Sequence, residues 1–204
     1  MGSVPPRQLE SGPWADNLSW RAVGPPTILP GSMANLALDK VEIYVFRRRG
    51  SRVEFLALRR GARRKLPGIW QPVTGKIELL ETPIEAALRE VREETGVRPV
   101  RLWRLEQITL CLDERGRSLM ALPLFAAELS AEDAIRLSKE HDAFEFLSAA
   151  KASSRFLWGS QRVGLDAVLR QVIPGGPRAQ ALELPVPTRG ARAPRSVSSP
   201  KARR

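Results

Sequence analysis

Polar and apolar residues first fall into regular order at Lys40. Val41, Ile43 and Val45 alternate with Glu42, Tyr44 and Phe46, then Arg47 to Arg52 form a polar, glycine-containing turn before the apolar run Val53 to Leu58. That pattern predicts two adjacent strands. An extended stretch from Trp70 to Thr74 ends at Gly75. Two further β-rich runs, Arg101 to Leu112 and Leu119 to Leu129, flank Asp113 to Arg117, which reads as a hairpin turn, and Phe144 to Leu147 supplies a last short strand. Two segments read as helices. In the later one Leu165, Val168, Leu169 and Val172 recur at the spacing of one buried face, with Ser160 as a cap at its start and Pro174-Gly175 as its stop.

The earlier helix, residues 82–95, has its boundaries written into the sequence. Thr82 is a helix cap, Pro83 takes the first helical position, where no N–H is missed, and Glu85 completes a Thr-x-x-Glu capping box. Gly96 stands where a left-handed residue ends a helix. Ala87, Leu88 and Val91 can bury one side, while Glu90, Glu93 and Glu94, three and four residues apart, converge on another. Like charges this close destabilise a helix by roughly a few tenths of a kcal/mol per pair, more so near its negative end. A divalent cation reverses that penalty, and hard oxygen donors suit Mg²⁺, with Mn²⁺ as a substitute. The plainer alternative is a solvated acidic face neutralised by Arg89 and Arg92.

Composition narrows the setting. The chain has 204 residues, 43% hydrophobic and 27% charged, which suits one globular domain with tails and excludes a membrane protein, since no apolar run is long enough to span. Residues 1–37 are proline-rich and without sustained period, so they read as an extension with no core of its own; Met33 within them is a candidate start. The single cysteine, Cys111, has no disulfide partner, which fits a reducing, cytoplasmic setting, and it is expected to be buried and inert. The net charge is +11, of which residues 174–204 contribute +6, so that segment reads as a solvated basic tail able to touch nucleic acid.

The helix also belongs to a longer pattern. Gly75, five residues, Glu81, seven residues, and Arg89-Glu90-Val91-Arg92-Glu93-Glu94-Thr95-Gly96-Val97 match the Nudix box at every defining position, a coincidence rarer than about one in a million at ordinary residue frequencies. The chain therefore resembles the Nudix hydrolases over roughly residues 38–173. The resemblance implies an α/β/α sandwich with a mixed central sheet and a Mg²⁺-dependent enzyme that cleaves a phosphoanhydride bond in a small nucleoside- or pterin-polyphosphate. It implies Glu90 and Glu94 as metal ligands, Glu93 as a further ligand or the base that deprotonates water, and Arg89 as the residue that orients the carboxylates.

Trp70 to Gly75, Glu140-His141 ahead of Phe144 to Leu147, and Trp158-Gly159-Ser160-Gln161-Arg162 resemble the branch of dihydroneopterin triphosphate and dATP pyrophosphohydrolases. That branch implies Glu140 as an added metal ligand, with Arg59, Thr74 and the box glycine Gly75 on the substrate side and His141 structural. Phe146 departs from a tryptophan common in relatives, and Arg63-Arg64-Lys65 make the preceding loop unusually basic, which suits a polyphosphate. The leading expectation is hydrolysis of a nucleoside or pterin triphosphate to monophosphate and pyrophosphate. Alternatives are dinucleoside polyphosphate, ADP-ribose or capped RNA as substrate, or a non-catalytic module that binds nucleotide or RNA.

Overall fold

The computed structural model describes residues 35–113 and 118–187. The expectations for residues 1–34, for the hairpin turn at 114–117 and for residues 188–204 lie outside the described residues. In chain order the elements are β1 (Asn35–Ala37), β2 (Lys40–Arg49), β3 (Arg52–Arg60), β4 (Trp70–Gln71), β5 (Val73–Lys76), α1 (Pro83–Thr95), β6 (Arg101–Leu112), β7 (Ser118–Leu129), β8 (His141–Leu147), α2 (Ala149–Arg155), α3 (Gly159–Gln171), α4 (Gly176–Leu182) and β9 (Glu183–Leu184).

The strands form one mixed sheet. Its main path runs β4-β3-β2-β7-β6-β9, with β5 also on β2, β8 on β3 and β1 on β7. β2 lies antiparallel to β3, Phe46 opposite Phe55, and parallel to β7, Ile43 beside Phe125. Alternation along β2 divides the core. Val41, Ile43 and Val45 join Leu56, Leu58 and Val73 under α1, while Tyr44 and Phe46 join Phe55, Trp103, Leu165 and Val168 under the helices on the other face. This is the expected α/β/α layering. Because helices cover both faces, both sides of β2 are buried.

One extended run became two strands. Gln71 of β4 pairs with Leu58 of β3, whereas Val73 of β5 pairs with Ile43 of β2. Pro72 between them has no N–H to give a ladder, so the chain changes partners there.

Several expectations are corrected. The fold continues beyond residue 173: after Gly175, in left-handed conformation at φ 73°, α4 buries Leu182 and β9 adds an antiparallel edge to β6, Leu184 opposite Leu102. Residues 174–187 are therefore part of the folded domain. The strand β1 (Asn35–Ala37) also lies inside the segment read as an extension. The helix α2 was not foreseen, and α3 starts without a Ser160 cap; the side chain of Gln161 instead accepts the Trp158 N–H at 3.2 Å. Cys111 is exposed, not buried. β9 covers only the first part of β6, so the far half of the strand stands free of it and Leu110 and Leu112 are exposed as well. Among the described residues no helix is long and apolar enough to cross a membrane.

Candidate active site

Helix α1 begins as its sequence demands. The Thr82 hydroxyl accepts the Glu85 N–H at 3.3 Å, and the Glu85 carboxylate accepts the Thr82 N–H at 2.9 Å. Gly96 closes the helix at φ 73°, its N–H donating to the Arg92 carbonyl at 2.8 Å. Ala86, Ala87 and Val91 are fully buried against the sheet, which fixes the rotation of the helix and so the direction of every glutamate on it.

That rotation places Glu90 over β5. A Cβ built on Gly75 would lie 1.8 Å from Glu90 Cδ, so any larger residue there would occupy the volume of the carboxyl group. Gly75 thus serves as clearance for Glu90. Arg89 ties the remaining acids together. Its guanidinium grips Glu81 through Nε and Nη2 at 2.8 and 2.9 Å, donates to the Lys76 carbonyl at 2.6 Å, and reaches Glu90 at 2.7 Å and Glu93 at 3.2 Å through Nη1. These bonds hold the Glu81 carboxyl below the usual carboxylate range and raise the Arg89 pKa. Burial pushes Glu90 up despite the Arg89 bond, with the charges of Glu93 and Glu140 adding to the rise.

Glu94 is the most unusual group. It is 4% exposed, and its Oε2 has no hydrogen-bond partner among the described residues. Burial first, then the negative charges of Glu90 and Glu140, push its pKa well above normal; Arg60 pulls the other way. His141 Nδ1 lies 3.9 Å away, too far for a hydrogen bond. Burial and the nearby Arg60 lower the His141 pKa to about 4, so it is neutral at physiological pH and neither ring nitrogen is bonded.

The rim is basic. Gly61 N–H donates to the Glu140 carbonyl at 2.9 Å, docking the loop after β3 beside the acids. There Arg64 pairs with the Glu140 carboxylate at 2.8 Å, and Arg60 reaches the Gln71 amide oxygen at 3.5 Å. Arg59 is paired with Asp142 at 2.6 Å. Thr74 follows the register of Glu42, not that of Gly75, so it lies on the opposite sheet face from Glu90, where it accepts from Gln71 at 3.3 Å. Glu90, Glu93, Glu94, Arg89 and Gly75 are therefore gathered in one place, and Glu140 lies within electrostatic reach. Arg59 and Thr74 stand apart from them.

Among the described residues no three acidic, histidine or cysteine side chains converge closely enough to enclose an ion, because Arg89 holds Glu90 and Glu93 while Arg64 holds Glu140. The donor set nevertheless suits a hard cation: a buried carboxylate oxygen with no partner, beside two further carboxylates, lacks a positive charge.

Sequence reasoning named Arg64 only as part of a basic loop and gave no separate role to Arg60 or Glu42. The arginines act through contacts that only the tertiary fold creates. Glu42 had a local signal, a lone acid between Val41 and Ile43 in a predicted strand. It is 4% exposed; Tyr44 Oη donates to its Oε1 at 2.5 Å and also bonds the Gln161 carbonyl at 3.0 Å.

A family model described as NUDIX domain matches residues 38–167. The chain is 32% identical over 127 residues to the mouse bis(5′-nucleosyl)-tetraphosphatase [asymmetrical], covering 57% of this chain and 83% of that protein. It is 38% identical over 117 residues to an octanoyltransferase of Myxococcus xanthus, covering 56% of this chain but 32% of that protein, so it spans about a third of that relative's length. Among solved structures, a C. elegans Ap4A hydrolase in a binary complex superposes with a TM-score of 0.57 at 20% identity, over 65% of this chain and 96% of that one. The E. coli dihydroneopterin triphosphate pyrophosphohydrolase superposes with a TM-score of 0.54 at 25% identity, over 62% and 91%.

Proposed function

The chain belongs to the Nudix family as a pyrophosphohydrolase of phosphoanhydride bonds, and from that premise we propose that it hydrolyses a nucleoside or pterin triphosphate to its monophosphate and pyrophosphate. The observation that carries the site assignment is the unpartnered, buried Glu94 oxygen beside Glu90, whose carboxyl fills the space left by Gly75.

Nudix hydrolases generally use divalent metals, and in this reading Glu90, Glu94 and Glu140 hold Mg²⁺ or Mn²⁺. When bound, such an ion supplies charge for the phosphoryl oxygens and acidifies a water. Glu93, whose side chain is half exposed, takes the proton from the attacking water. Arg89 keeps Glu90 and Glu93 in register by its fork to Glu81 and the Lys76 carbonyl. Arg64, which pairs with Glu140, would place its guanidinium beside the substrate's phosphates. Arg59 and Thr74 are assigned to the part of the substrate away from the cleaved bond, because they lie off the carboxylate cluster.

A second substrate reading, a dinucleoside tetraphosphate, is supported by the 32% identity to the mouse enzyme over most of that protein's length. Incubating the purified chain with Mg²⁺ and a panel of triphosphates and dinucleoside polyphosphates, followed by product analysis, separates the two. Monophosphate plus pyrophosphate from a triphosphate supports the first. Turnover confined to dinucleoside substrates replaces it with the second. Unchanged turnover in Glu93→Gln and Glu94→Gln would remove the catalytic assignment of α1 altogether.

A further inference from the structure

The loop that leads from β7 toward Glu140 borders an open cavity of about 460 Å³ at the C-terminal end of α1. Three arginines line it: Arg92 from the helix, Arg98 from the turn after it and Arg136 from the loop. The loop is fastened in place. Arg136 N–H donates to the Thr95 carbonyl at 2.7 Å, and a Cβ on Gly96 would lie 3.0 Å from Arg136 Cβ. Arg92 sits two residues from both Glu90 and Glu94, about 200° around a helix of 3.6 residues per turn, so it points away from the carboxylates. The cavity is separate from the catalytic face.

No side chain among the described residues forms an ion pair with any of the three. Asp133, which also lines the cavity, accepts the Ser130 N–H at 3.0 Å and so helps to shape the loop. A helix C-terminus attracts a cation, but that accounts for one arginine and not for three around one concavity. Three permanently charged guanidiniums outnumber the one acid, Asp133, in the same lining and so favour an anion there, and their planar forks match phosphate oxygens.

A second cavity, of about 500 Å³, continues from the first, sharing Arg98 and Asp133 and adding the apolar surfaces of Pro99, Val100, Val186 and Pro187. The combined groove has the three arginines at one end and the apolar surfaces of the prolines and valines at the other, with Ser130, Glu132 and Asp133 also in its lining. We propose that it is a non-catalytic binding site for a nucleoside 5′-phosphate, with the phosphate among Arg92, Arg98 and Arg136 and the nucleoside along Pro99, Val100 and Val186. Ligands of this kind pair an apolar contact surface with a few placed charges.

The test is titration of AMP into the isotope-labelled full chain in EDTA, followed by amide NMR. Saturable shifts at Gly96, Arg98, Ala134 and Arg136, weakened about tenfold or more in the Arg98→Ala/Arg136→Ala double variant and unaltered in Glu94→Gln, are the expected result. All three arginines are exposed, and Arg92→Gln on the helix surface repeats the test without touching the loop. Equal affinity in both arginine variants, shifts centred on Gly75 and Glu90, or inorganic phosphate binding as tightly as AMP would each overturn the proposal.

Discussion

Glu42 and Glu94 share nearly every simple descriptor. Each is 4% exposed, each packs against the central strands, and burial is the main force raising each carboxyl pKa. They differ in what surrounds them. Glu42 accepts a hydrogen bond from Tyr44 and lies beside Gln161, so the protein itself offsets the cost of burial. Glu94 is surrounded by like charge from Glu90 and Glu140, and one of its oxygens has no partner among the described residues. A buried acid whose needs are met by its own chain is part of the scaffold; one whose needs are left open is waiting for something the chain does not contain.

The sharpest way to break this contrast is Glu94→Gln. Activity should fall by about a hundredfold to ten-thousandfold, while thermal stability measured in EDTA should hold or rise, because a poorly compensated charge has been removed. A large loss of stability with activity retained would move Glu94 into the scaffold class. Gly75→Ala attacks the same cluster by steric means. Displacing Glu90 should cost about tenfold or more in kcat and about 1–3 kcal/mol of stability, read by steady-state kinetics and denaturant unfolding.

Changes at the other acid should behave in reverse. Tyr44→Phe leaves Glu42 short of a donor and should cost about 1–3 kcal/mol in denaturant unfolding, with kcat nearly unaltered. The pH dependence gives a finer test. The folded pKa of Glu42 lies above its unfolded value, so between the two values the folded chain binds more protons, and this group's contribution falls as pH rises through that window. Glu42→Gln should therefore gain stability relative to the native chain as pH climbs from about 4.5; a constant difference between the two proteins would contradict the raised pKa. The smallest effect belongs to Cys111→Ser. That exposed site should change stability by no more than about 0.5 kcal/mol, whereas the native thiol should label without unfolding.

Helix α1 was legible because what defines it is local. The capping box, the proline after it, the terminal glycine and the spacing of Glu90, Glu93 and Glu94 all act within four residues, and the structure keeps those boundaries. The α/β/α layering followed from the family resemblance. What escaped depends on neighbours distant in sequence. Glu42 looks solvent-facing when β2 is read alone, and becomes buried only because α3 covers that face. Arg64 finds Glu140 across the docking of two loops. α4 and β9 were lost in a Pro-, Gly- and Arg-rich segment whose apolar content is too sparse to show a period, although Leu182 is enough to fasten it to the core. Cys111 followed the opposite path: an apolar strand suggested burial, but its side chain is exposed even though its backbone pairs with Met120 of β7.

The position of β2 also sets an order in time. Its parallel neighbour is β7, which brings residue 42 beside residue 124 and residue 47 beside residue 129. Pairings so remote in sequence form slowly, because the loop must close before any contact rewards it. During synthesis, α1 is therefore complete well before the sheet beneath it, and its apolar face, with Ala87 and Val91, has no full bed until Leu129 has left the ribosome. Helix α1, too short to be firmly helical alone, is thus made before its bed and seated only after it.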